Sequence, residues 1–122
     1  MELDRDKVVE RFLLYCGEDS ETASQERQAL WEALCQGSAK WVEELAGPGA
    51  DSWEENLVNL AAAQAFYQLV LAESAAAPGS LSTPEIKLDW TAREEKARAL
   101  AEEQQRLCGP VLREAGFYFG KA

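Results

Sequence analysis

Catalysis near neutral pH leans on histidine more than on any other side chain, and this sequence contains none. That removes Ser–His and Cys–His nucleophilic pairs, imidazole acid–base chemistry and most catalytic metal sites. Three thiols remain, Cys16, Cys35 and Cys108. They are widely spaced with no CxxC pair, so neither a zinc knuckle nor a dithiol redox motif is present. Each lies in an apolar helical context and reads as a small buried side chain in a reducing compartment. Two carboxylates suffice for a glycosidase. With 22 acidic residues spread over helix surfaces, however, chance proximity explains any given pair. Glu54-Glu55 and Glu94-Glu95 fall in first helical turns, where they offset the helix dipole. Gly47-Pro48-Gly49 is a turn and not a phosphate-binding loop. The residues point to a non-enzymatic protein with no metal and no cofactor.

Twelve basic against 22 acidic residues give a net charge of −10. Binding to nucleic acid without sequence preference needs clustered Lys and Arg, so the charge argues against a DNA-gripping surface. The longest apolar run, 57–72, is broken by Asn59, Gln64 and Gln68 and is too short and polar to span a membrane. The opening residues lack the basic and apolar regions of a signal peptide, so a cytoplasmic site of synthesis is expected. At 122 residues the chain is expected to form one helical domain with a single core.

The expected architecture is mostly α: a bundle of about four helices with one short extended or β segment before the last long helix. The first helix should run from about Asp4 to Cys16 and stop at Gly17. A second should start near Ser20 or Thr22, where Thr22-x-x-Gln25 fits a capping box. It carries an apolar stripe of Leu30, Leu34, Trp41 and Leu45, flanked by Trp31, Cys35 and Val42. Gly37-Ser38 inside it marks a kink or a close helix approach. Ser52-x-x-Glu55 caps the third helix, whose body is apolar on nearly every face. Such a helix belongs in the middle of a bundle or is shared with a second subunit. Pro78-Gly79 ends it and opens a mobile linker over about 75–84.

Glu85 to Trp90 then alternates, with Ile86, Leu88 and Trp90 on one face. Either this run is a strand that pairs with another chain, or it is an extended segment packed on helices. Thr91-x-x-Glu94 reads as a third capping box, opening a helix with Ala97, Leu100, Ala101, Leu107 and Cys108 on its apolar side. Glu94–Arg98 and Glu102–Arg106 are spaced as i,i+4 pairs. Gly109-Pro110 must kink or break that helix, with a last turn restarting over 111–115. Beyond Gly116 the chain carries Phe117, Tyr118 and Phe119. Three aromatics are costly to leave in water, so they either fold back onto the bundle or anchor in a partner as a docking tail over 116–122.

This order of features resembles the small helical head–tail connector (adaptor) proteins of tailed phages and prophages. The likeness rests on a short first helix ending at Tyr15-Cys16-Gly17-Glu18-Asp19 and on the word Asn59-Leu60-Ala61-Ala62-Ala63-Gln64-Ala65-Phe66-Tyr67. It rests also on Leu112-Arg113-Glu114-Ala115-Gly116-Phe117-Tyr118-Phe119-Gly120. These are packing and docking words and not catalytic motifs. The resemblance implies a structural subunit in a ring of about a dozen copies between portal and tail, with DNA passing through the lumen unbound. It implies as partners a homo-oligomeric ring and portal or tail proteins, and as location the virion of a phage made in a bacterial host. Ile86, Leu88, Trp90, Phe117, Tyr118 and Phe119 would be the partner and subunit contacts. The other reading of the same composition is a small acidic helical adaptor or immunity-type module. Such a protein binds one partner as a monomer or dimer.

Overall fold

A computed structural model describes the backbone of residues 2–76 and 84–112 and the side chains of 2–74 and 91–112. Among these residues the chain forms four α-helices: α1 (Arg5–Cys16), α2 (Gln25–Leu45), α3 (Glu54–Ala76) and α4 (Pro84–Cys108). The helical bundle read from the sequence is therefore present.

Each boundary has a local cause. Asp4 caps α1, its carboxylate accepting from the Asp6 and Lys7 amides at 2.9 and 3.4 Å. Gly17 ends α1 at φ +70°, and both its N–H and that of Glu18 reach the Leu13 carbonyl. Ser24, not Thr22, caps α2: its hydroxyl accepts from the Arg27 amide at 3.1 Å. The Thr22 hydroxyl is already engaged as a donor to the Asp19 carbonyl, within a turn that Gln28 also ties down. The Ser52 box fails in the same manner. Its hydroxyl donates to the Gly49 carbonyl and closes a 3₁₀ turn (Ala50–Trp53) from which α3 emerges at Glu54.

The extended segment expected over 85–90 is helical. It forms the first two turns of α4, and Thr91 lies inside that helix and opens nothing. Pro84 stands at the first helical position, where its missing N–H costs nothing. Alternation over six residues also contains an i,i+4 pair, Ile86 and Trp90. That pair is in register with Ala97, Ala101 and Cys108 further along, so the helical period wins over the strand period. Gly109-Pro110 does break α4, giving a 3₁₀ turn (Gly109–Val111) after which Leu112 is extended. Leu112 forms an isolated antiparallel bridge with Ala46, and the Gly47 amide donates to the Val111 carbonyl at 2.7 Å. The expected turn over 111–115 thus gives way at 111–112 to this bridge; residues 113–115 lie outside the described set, as does the linker over 77–83.

α3 is the middle of the bundle. Leu57, Leu60, Ala61, Ala62, Ala65 and Leu69 are fully buried, enclosed by Val8 and Phe12 of α1 and Trp31, Cys35, Ala39 and Val42 of α2. Most of its apolar surface is thus used within the chain, which answers why the helix is apolar on nearly every face, although Leu71 stays 39% exposed. The core stripe of α2 runs one position away from the expected one. Trp31, Cys35, Ser38 and Val42 point inward, while Leu30 is 41% exposed. Both stripes have helical spacing, and only the tertiary partner decides between them. The close approach expected near Gly37-Ser38 occurs at Ser38 and Ala39; Gly37 is exposed and the helix runs through it.

Candidate interaction surface

The residues expected to meet a partner are distributed as follows. Ile86, Leu88 and Trp90 lie on the first turns of α4, with Ile86 and Trp90 in one helical register and Leu88 off it. Phe117, Tyr118 and Phe119 lie outside the described residues. The described bundle ends at Leu112, beside the α2 C-terminus.

The described tryptophans are core. Trp31 is 2% exposed and meets Phe12 edge-to-face at 6.3 Å between ring centroids, and Trp41 and Trp53 pack half-buried against the same cluster. The Arg27 guanidinium stacks 5.4 Å from the Trp31 ring centre. From there it begins a chain of charges that no sequence pattern announced. Arg27 Nη2 lies 3.0 Å from Glu18 and 3.2 Å from Glu73, and Glu73 in turn lies 2.9 Å from Arg93. Four elements are tied by these contacts: the α1–α2 turn, α2, α3 and α4. Burial works against the Arg27 charge, but its hydrogen bonds to the two carboxylates outweigh that and raise its pKa above the ordinary value.

A second cluster fastens the start of the chain. Arg5 grips Glu43 through both terminal guanidinium nitrogens, at 2.6 and 3.1 Å, and the Glu43 carboxylate also accepts from the Leu3 amide. The Arg5 hydrogen bond holds the Glu43 carboxyl below its ordinary pKa. The expected i,i+4 pairs of α4 are replaced. Arg106 pairs with Glu103 one turn earlier, and Arg98 donates to the Tyr67 hydroxyl across the α3–α4 seam.

Cys35 and Cys108 are buried as expected, and Cys16 is half-buried. Burial pushes Cys16 and Cys35 up to about 12 and Cys108 to about 11, so all three are protonated at neutral pH and poor nucleophiles. Cys108 donates to the Asn56 carbonyl at 3.3 Å. Among the described residues no group of three Cys, Asp or Glu side chains is placed to hold a metal ion, and no helix is long and apolar enough to cross a membrane. Three surface clefts measure 170 to 250 Å³, below the roughly 300 Å³ at which small-molecule pockets begin. Comparisons with known protein families, curated proteins and solved structures find no match for this chain.

Proposed function

We propose that the chain is a non-enzymatic structural protein, a head–tail connector subunit that forms a ring between portal and tail in a phage or prophage particle. The observation that carries this reading is the order of its helices. A short α1 ends at the Tyr15-Cys16-Gly17-Glu18-Asp19 turn, a long α2 follows, and the Asn59–Tyr67 word forms the buried centre of α3. A charged α4 completes the bundle, although the short β-like segment that the resemblance implies before it is here the first two turns of that helix. The net charge of −10 suits a lumen through which DNA must slide without being held. Because α3 is largely enclosed by its own chain, subunit contacts must come mostly from elsewhere. The candidates are the segment around Ile86, Leu88 and Trp90 and the aromatics Phe117, Tyr118 and Phe119, beside the exposed Leu14, Leu30, Leu71 and Leu107 of the described bundle.

Light scattering tests the reading, with absolute mass measured across a concentration series in low and high salt and again with purified portal rings added. The expected result is a closed oligomer of high symmetry, alone or on the portal, favoured by salt that screens like charges. A chain that stays monomeric or dimeric under every condition, portal included, overturns the connector reading in favour of a module that binds a single partner.

A further inference from the structure

We propose that α4 is a releasable arm: it opens away from α3 while α1, α2 and α3 stay folded together. The helix lies antiparallel to α3, with Arg93 beside Glu73, Arg98 beside Tyr67 and Cys108 beside the Asn56 carbonyl. Over 91–108 its buried side chains are Ala97, Ala101, Gln105 and Cys108, none of them a large apolar group. Ala97 and Ala101, with Ala63 and Val70 of α3, are buried but stand apart from the main hydrophobic cluster built around Phe12, Trp31, Leu57, Leu60 and Leu69. The seam is therefore a second, thin layer, joined to the main cluster through Cys108 alone among the described side chains of α4.

The polar groups of the seam point the same way. Gln105 is 5% exposed and its carbonyl oxygen has no hydrogen-bond partner. A buried oxygen that water would satisfy on opening favours the open state. Other buried unpartnered atoms lie in α2 and α3, Trp31 Nε1, Ser38 Oγ and Asn59 Oδ1 among them, but Trp31 rides on a ring that buries far more apolar area than a glutamine can. Glu73 is the latch, joining Arg93 of α4 to Arg27 of α2. Segments that open on their own are those with few buried apolar contacts, and over its described side chains, 91–108, α4 fits that description where α2 and α3 do not.

Hydrogen exchange on the full-length chain under native conditions reads the opening directly. Peptides from 92–107 are expected to exchange roughly tenfold or more faster than those from 57–70 and 31–42. Gln105→Met removes the unpartnered oxygen at similar volume and should slow exchange in 92–107 several-fold. Glu73→Gln loosens the latch and should speed it several-fold, with both variants leaving α2 and α3 rates within about twofold of wild type. Exchange of α4 and α3 at one common rate overturns the proposal. So does a variant that shifts all four helices in parallel, because the bundle would then open only as a unit.

Discussion

At the scale of single residues the most consequential contact is the grip of Arg5 on Glu43. It brings the N-terminal residues to α2 and sets Leu3, 2% exposed, into the core. The Glu43 carboxyl has its pKa held below the ordinary 4.5 by the folded structure, chiefly through the Arg5 hydrogen bond. The sign follows from linkage. A lowered folded-state pKa contributes stability that is complete above the unfolded value and is lost as pH falls through the folded one. Stability should therefore decline below about pH 4.5, and Glu43→Gln should flatten that decline while costing about 1 kcal/mol at pH 7. Urea midpoints measured from pH 3 to 7 on both proteins decide it; parallel curves would remove Glu43 from the account. Neither partner of this pair stands out in the sequence, because 38 positions separate them and the spacing carries no helical or turn signature. The Glu18–Arg27–Glu73–Arg93 chain is hidden in the sequence for the same reason. Ion pairs between distant segments exist only after the fold exists.

Glycine does two different jobs among the helices, and they predict opposite mutational signs. Gly17 stands at φ +70°, a conformation that strains any residue with a Cβ, although nothing lies within 4 Å of where one would go. Gly17→Ala should cost about 1 kcal/mol through backbone strain alone. Gly37 sits exposed in mid-helix, again with open space where a methyl group would project. Gly37→Ala should stabilise by about 0.5–1 kcal/mol, because the unfolded chain loses freedom that α2 never used. Thermal melts of the two variants, shifted in opposite directions, are the check; a stabilised Gly17→Ala would contradict the strain argument. The Gly17 stop, the apolar identity of α3 and the break at Gly109-Pro110 were all legible in the sequence, since each rests on backbone chemistry that acts locally. Capping boxes were less reliable guides. Thr22, Ser52 and Thr91 each begin a matching motif, yet a neighbouring carbonyl claims the first two hydroxyls and a longer helix absorbs the third. The alternating run at 85–90 misled for a related reason: six residues are too few to separate a period of two from one of 3.6.

For the whole molecule, charge and the aromatic tail set the testable behaviour. Ten surplus negative charges repel one another, while exposed ion pairs contribute little each and are screened by the same salt. Repulsion wins that comparison, so the melting temperature should rise by a few degrees between about 10 mM and 0.5 M salt. A fall would mean that the bridging contacts through Arg27 and Glu73 outweigh the net charge. The tail poses the sharper question. If Phe119 anchors a subunit or portal contact, truncating it removes a buried aromatic from an interface, a loss of about 2 kcal/mol or more in association. It removes nothing from the bundle itself. If instead Phe119 packs on its own domain, Phe119→Ala opens a cavity worth about 3–5 kcal/mol of folding stability. For a domain of this size that is a drop of roughly 10 °C or more. Melting temperature and ring mass measured on the same variant separate the two. An unchanged melt with lost assembly assigns the tail to docking. A large drop in the melt assigns Phe119 to the core and moves the search for the subunit contact to the segment around Ile86, Leu88 and Trp90 and to the exposed Leu14, Leu30, Leu71 and Leu107.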